Sequence, residues 1–205
     1  HLPMGKIECV FTISEETGMD GAFGMEPGFF TGRTLINLDS EDEGQMFIGC
    51  AGGLDTTAVF NYKQEDFKEG YKPVRLEIGG ALGGHSGDDI NKGRANTVQQ
   101  MARFLYSEMA YGLQLVMLKG GNKPNAIARE CEAIITVPDA DATIARLTSF
   151  GKDLRNEYFR TDPDLSFSGE TYRCTEKPIQ SDVARRLIAS LFACPHGVET
   201  MSQDI

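Results

Sequence analysis

The chain has 205 residues, 40% of them apolar and none of them Trp, which is enough to build one large or two small packed domains. Its formal net charge of -10 argues against nucleic acid and anionic membrane surfaces as partners, because both carry the same sign. No stretch reaches the roughly 18 apolar residues of a membrane span, and no leader with a basic start and an apolar centre opens the chain.

Taken in chain order, residues 6–13 are β-rich and nearly continuously apolar, the pattern of a strand covered on both faces. The chain opens HLPMGKIECVF, with no initiator Met and almost directly inside this strand, the start expected of a piece cut from a longer protein. GMDGAFGM reads as a short helix or turn, and TLINLD at 34–39 as a second buried strand. Gly49, Gly52 and Gly53 let the chain bend before TTAVFNY, so a boundary falls near residues 50 to 53.

Beyond it, residues 73–79 read as a strand. Ala95, Val98, Ala102, Leu105 and Met109 recur at helical spacing, predicting an amphipathic helix over 90–111. Residues 113–118 and 131–137 read as strands, and Asp139 or Asp141 is placed to cap a following helix with a buried stripe of Ile144, Leu147, Phe150, Leu154 and Tyr158. A strand over 165–174 and a helix over 180–193 complete the order. The fold class is thus mixed α/β (α+β): β-α-β-β-α-β is the ferredoxin-like split sandwich. Cys9, Cys50, Cys131, Cys174 and Cys194 are odd in number, widely spaced and without a CxxC pair. That argues against a disulfide framework or a structural zinc site, and for buried reduced thiols in a cytoplasmic protein.

The residues able to carry chemistry lie where these elements end. Glu15 and Glu16 stand side by side at the end of the first apolar run. Neighbours on an extended chain point in opposite directions, so one acid can bind a metal while the other faces a bound water; a solvated acidic turn is the commoner fate of such a doublet. Asp39 ends the second apolar run, either as a ligand of the same kind or as a helix cap, with Glu41, Asp42 and Glu43 as a hydrated run. His85 is boxed by glycines in GGHSG, which allows close approach of a ligand or simply makes a turn. Ser86, Asp88 or Asp89 is placed to cap the helix that follows. His1 and His196 read as structural or incidental. In GGNKPNAIARE, Asn125 can donate to a substrate carbonyl or carboxylate, or merely belong to a hairpin connection, and Arg129 can pair with a carboxylate. No phosphate loop and no Ser–His–Asp or Cys–His set is present.

Five stretches in this order resemble the aminoacyl-histidine dipeptidases, carnosinase-like members of the co-catalytic zinc metallopeptidases: ISEETGMDGAFGM, LINLDSEDEG with IGCAGG, GGHSGDDINKGRAN, GGNKPNAIARE and PHGVETMSQDI. The resemblance spans nearly the whole chain. It implies part of a parallel-sheet zinc-peptidase catalytic domain over 1–52 and a ferredoxin-like lid and dimerisation domain over 53–205. Residue by residue, it implies Glu15 as general base and Glu16 and Asp39 as metal ligands. His85 matches the lid histidine that reaches the substrate carbonyl, often in a partner subunit's site, and Asn125 a lid asparagine near the substrate. Ala128 stands where that family usually has Pro, which alters the rigidity of the loop and not the identity of Asn125.

The resemblance further implies two zinc ions per site, or other divalent metals, holding a water that Glu15 deprotonates, a short dipeptide substrate with histidine second, and a homodimer formed through the lid. Such a site also takes an upstream His-x-Asp pair, a bridging Asp and a late His, none of which these 205 residues supply; the piece alone is therefore expected to be inactive and mostly metal-free. Two other classes fit the same features: a non-catalytic ferredoxin-like binding or dimerisation module, and a related metal-dependent amidohydrolase or carboxypeptidase.

Overall fold

The structure, a computed structural model, describes residues 5–39 and 43–203; His1, Glu41 and Asp42 lie outside that set. The chain divides into two compact units, His1–Gly53 and Leu54–Ile205.

In the first unit, the described residues form a single 3₁₀ turn at Glu15–Thr17 and one turn of helix, α1 (Asp20–Phe23). The strands expected over 6–13 and 34–39, and with them the parallel sheet, do not form among the described residues. A strand is stable only when a neighbour takes up its backbone N–H and C=O groups, and neither segment has one. Phe11 and Leu38 are accordingly 90% and 89% exposed within the chain. The fixed point of this unit is Glu8. Its carboxylate accepts the backbone N–H groups of Thr31 (2.6 Å) and Gly32 (2.9 Å) and the Thr31 hydroxyl (2.7 Å), and Lys6 pairs with it at 2.5 Å. Lys6 first, then these hydrogen bonds, hold the Glu8 carboxyl down at about 2.

The second unit contains β1 (Lys72–Gly79), β2 (Gly84–His85), α2 (Thr97–Glu108), β3 (Gln114–Gly120), β4 (Ala126–Ile127), β5 (Cys131–Val137), α3 (Ala140–Glu157), β6 (Ser166–Thr171) and α4 (Ser181–Ala193). The long strands make a four-stranded sheet in the order β3-β5-β1-β6 with every neighbouring pair antiparallel. That is the strand order of a split βαβ sandwich, with α4 added beside α2. β1 is the middle of the unit: Leu76 lies opposite Ala133 of β5 on one side and Gly169 of β6 on the other. Val74, Leu76 and Ile78 are buried under the helices while Arg75 and Glu77 alternate onto the other face, the period of two that an amphipathic strand requires. On that polar face Arg75 pairs with Glu77 and Glu132, each at 2.7 Å.

The helix expected over 90–111 is shorter. Ile90–Lys92 is a separate 3₁₀ turn, closed by Gly93 at φ 64°, and α2 starts at Thr97. Its cap is Asn96, whose side-chain oxygen accepts from Val98 and Gln99 N–H, not Ser86, Asp88 or Asp89. α3 is capped by Asp139 through Ala142 N–H at 3.0 Å. Leu147 and Leu154 of its stripe are buried, while Ile144, Phe150 and Tyr158 are half-buried. Among the described residues every buried side-chain polar atom is paired: Glu108, 1% exposed, takes a two-pronged bond from Arg146 (2.6 and 2.7 Å) and one from Thr143. Gln114 accepts from Lys68 N–H and Thr136 and donates to Glu65, fastening residues 65–68 to β3. Of the cysteines, only Cys131 is buried, and burial with the nearby Glu132 pushes its thiol up to about 12. Cys9, Cys50 and Cys194 are exposed and Cys174 half-buried. The thiols follow the position of their elements, so the expectation of uniform burial is corrected. No described helix is long and apolar enough to cross a membrane.

Two outcomes follow from this packing. Leu76→Ala opens a void between the sheet and its helices and is expected to cost about 2–5 kcal/mol in denaturant unfolding; a loss below about 1 kcal/mol would displace Leu76 from the centre of the core. Glu8 has a folded value below its ordinary 4.5, so its contribution is complete above about 4.5 and is lost as pH falls towards about 2. The Thr31 and Gly32 amide resonances should titrate in that interval, and Glu8→Gln should abolish the transition.

Candidate functional site

The second unit brings two of the candidate residues together. β1 ends at Gly79, and the chain crosses over Gly80 at φ 74°, where the Asp164 carbonyl occupies the space a Cβ would need. From there residues 81–96 form a loop held at several points. Gly83 (φ 63°) is crowded by Arg129 and the Ile127 carbonyl, and Gly84 (φ 142°) by Arg94 and Asp89, so only glycine fits on the approach to His85. Gly84 and His85 then pair with Ile127 and Ala126 as the short β2–β4 ladder, and Ser86 N–H donates to the Asn125 carbonyl at 2.9 Å. The GGHSG loop and the GGNKPNAIARE loop therefore lie against each other, with His85 and Asn125 on neighbouring strand ends.

His85 is exposed, and its backbone is held from beneath: its N–H donates to Asp89 Oδ2 at 2.7 Å. Asp89 in turn pairs with Lys92 (2.5 Å) and Arg94 (3.4 Å), and Lys92 first, then the His85 N–H, draws its carboxyl below the ordinary aspartate value. The His85 ring is fixed by its own turn, because Nδ1 accepts from Gly87 N–H (3.0 Å) and Asp88 N–H (3.4 Å). An imidazole whose Nδ1 accepts carries its proton on Nε2, so His85 presents a donor outward. The Asn125 carboxamide makes no hydrogen bond among the described residues and adds a second unpaired donor on the adjoining loop.

Three contributors to this loop left no clear signal in the sequence. Arg94 donates to the Gly83 carbonyl at 2.5 Å. Asp162, 1% exposed, accepts from Leu82 N–H and Ala95 N–H, each at 2.8 Å. His196 closes the far end, Nε2 donating to the Arg94 carbonyl (3.3 Å) and Nδ1 accepting from Asn96 (3.4 Å). The TDPD stretch around Asp162 reads locally as a turn, and nothing in it points 67 residues back to Ala95.

Glu15, Glu16 and Asp39 belong to the first unit. Glu15 and Glu16 are exposed on a turn entered through Ser14 at φ 60° and left through Gly18 at φ 140°; a serine at positive φ is uncommon, and such backbone concentrates at functional sites. Asp39 is exposed, and its N–H donates to the Asn37 side chain at 3.1 Å. Among the described residues no group of three or more His, Cys, Asp or Glu side chains is arranged to share a metal ion. Zinc takes four donors, three of them from protein even in an open catalytic site, so the described side chains do not by themselves fit the metal centre. An open groove of about 410 Å³ lies elsewhere, on the polar face of the sheet between Arg75, Glu77, Lys119 and Glu132, and includes neither His85 nor Asn125.

Replacing Gly84 by Ala should drive a methyl into Asp89 and Arg94 and cost about 1–3 kcal/mol. The expected signature is faster amide exchange at His85 with β1 exchange unchanged. Unaltered His85 exchange would mean the glycine is not required.

Comparison with known proteins agrees with this architecture. Residues 76–161 match the family model of a peptidase dimerisation domain. Over 197 residues the chain is 33% identical to the cytosol non-specific dipeptidase of Escherichia coli (strain K12), covering 95% of this chain and 41% of that protein. The crystal structure of aminoacylhistidine dipeptidase from Vibrio alginolyticus superimposes with a TM-score of 0.78 at 32% identity, over 95% of this chain and 40% of that one. The chain thus spans about two-fifths of the length of the relatives it matches. With the loops, sheet order and these matches together, the chain is homologous to part of the cytosol non-specific dipeptidase, and its residues 76–161 belong to the peptidase dimerisation domain family.

Proposed function

We propose that the chain is part of a metal-dependent dipeptidase, cytoplasmic and homodimeric through its second unit, that hydrolyses short Xaa-His peptides. The observation that carries the reading is the His85 turn: Nδ1 is engaged by Gly87 and Asp88 N–H, leaving Nε2–H as a donor on the strand that pairs with the loop carrying Asn125. A ring donor held in place, with an unpaired carboxamide on the adjoining loop, suits a carbonyl oxygen that gains negative charge as its carbon is attacked. His85 would donate to that oxygen, and Asn125 would orient the peptide by donating to its carbonyl or carboxylate.

In the same reading Glu15 takes the proton of the attacking water and passes it to the leaving amine, the general acid–base role that an exposed carboxylate at a turn can fill once substrate covers it. Glu16 and Asp39 are offered as two carboxylate donors of a zinc centre. They do not complete one, since the described residues contain no cluster of three such side chains, and the reading takes the other donors from outside these 205 residues. The chain alone is accordingly inactive. The dipeptidase homologue and the dimerisation-domain match support the substrate class and the two-fold assembly.

Four measurements test this. Equilibrium dialysis of the 205-residue chain against zinc should give clearly substoichiometric binding; one or two tightly held ions per chain would overturn the division of ligands. In the complete enzyme, His85→Ala should lower kcat by about 10²–10³-fold on β-alanyl-histidine, and unchanged turnover would return His85 to a turn residue. Glu15→Gln there should abolish turnover and keep the metal, whereas loss of metal as well would reassign Glu15 as a ligand. If the complete wild-type protein cleaves only acylated amino acids, the amidohydrolase class replaces the dipeptidase.

A further inference from the structure

Asp162 is an enclosed carboxylate that the proposed reaction does not use. It is 1% exposed, and among the described residues no Lys, Arg or His side chain pairs with it. Its hydrogen bonds run to Leu82 N–H through Oδ1 and to Ala95 N–H through Oδ2, both at 2.8 Å. Those two amides stand at opposite ends of the loop that carries His85. One carboxylate therefore clasps the loop shut at its base.

The anchor is itself rigid. Asp162 N–H donates to the Tyr158 carbonyl at 2.8 Å, just past the end of α3, and its own carbonyl accepts from Leu165 N–H at 3.2 Å. Ala81, Ala95 and Leu165 are buried as one small cluster with Tyr158 and Phe167 packed against it, so water has little access to compete for the two amides. Within the clasp lies a second one, made by Arg94 on the Gly83 carbonyl and Asp89 on the His85 N–H. The imidazole thus inherits its place from α3 through a chain of hydrogen bonds rather than from packing of its own exposed ring.

We infer that Asp162 is a positioning residue for His85, holding the two ends of the loop at the separation that lets the His85 turn close and keep the ring proton on Nε2. A carboxylate is suited to this because both oxygens accept. A carboxamide has one acceptor and one donor group, so in Asp162→Asn one of the two buried N–H groups faces another donor and loses its partner. The loop then exchanges one ordered closure for many, and the Gly87 and Asp88 N–H groups no longer hold Nδ1 in every copy.

This inference rests on His85 being the working donor, but its test reads the ring itself and needs no turnover. The 205-residue chain labelled with ¹⁵N at histidine, with His85→Gln to assign the signals, reports which ring nitrogen carries the proton. Wild type should show the Nε2–H form. Asp162→Asn should move the His85 ring nitrogens towards the average of the two tautomers and speed exchange of the Leu82 or Ala95 amide at least tenfold, with Val74–Ile78 protection kept. If Asp162→Asn fails to fold, Asp162→Ser, which keeps one small acceptor, is read in the same way. Unshifted His85 ring nitrogens in a variant whose Leu82 and Ala95 amides have lost protection would overturn the positioning role, as would unchanged protection at both amides. An inactive role for His85 in the complete enzyme would instead appear in kcat of His85→Ala and leave these spectra as they are.

Discussion

The second unit depends on the double pairing of β1. The strand is hydrogen-bonded to β5 on one side and β6 on the other, and it sends Val74, Leu76 and Ile78 into the helices while leaving Arg75 and Glu77 on the open face. A central strand held on both edges cannot slip by one residue without turning its whole apolar set outward. Everything that follows in the chain inherits that register: the exit at Gly79 and Gly80, the close approach of Asp164, and so the place from which the His85 loop departs.

Around that frame the chain repeatedly uses a carboxylate to gather backbone N–H groups. Glu8 does so for Thr31 and Gly32, Asp89 for His85, and Asp162 for Leu82 and Ala95. Each case satisfies donors in irregular segments that have no sheet or helix to take them, which is how a loop can be ordered without a core of its own. Where a carboxylate is buried among apolar helices a cation is added: Glu108 meets the fork of Arg146. Glu8 and Asp89 also meet cations, Lys6 in the one case and Lys92 with Arg94 in the other, so of these four carboxylates Asp162 is the one that neutral amides hold without an ion pair among the described residues.

The homology and the geometry bear on different parts of the reading. The relatives show what the chain is similar to: a cytosol non-specific dipeptidase at 33% identity, and a peptidase dimerisation domain over residues 76–161. The hydrogen bonds of residues 82–96 explain how the exposed His85 imidazole can be held to one tautomer, and that is a property of this chain's own residues. The first unit offers Glu15 and Glu16 on a turn with unusual backbone angles, and its apolar segments have no strand partners among the described residues.

The amino-acid sequence by itself determined what depends on spacing. Alternation in 73–79, helical recurrence from Ala95 to Met109, and Asp139 ahead of an amphipathic run are local periodicities, and the elements stand near where they predict. Glycines flanking His85 and the order of the motifs singled out the loops that the β2–β4 ladder joins. Tertiary structure alone decided the rest. Segments 6–13 and 34–39 have strand composition but no ladder among the described residues, because pairing is a property of two segments and not of one. Asn96 took the place expected for Ser86, Asp88 or Asp89 as the cap of α2, since Gly93 turns the chain and Asp89 is already committed to His85. Asp162 became a clasp only when α3 carried it to residues that lie 80 and 67 positions away. Contacts at that separation are set by how helices and sheet pack, which no local pattern encodes.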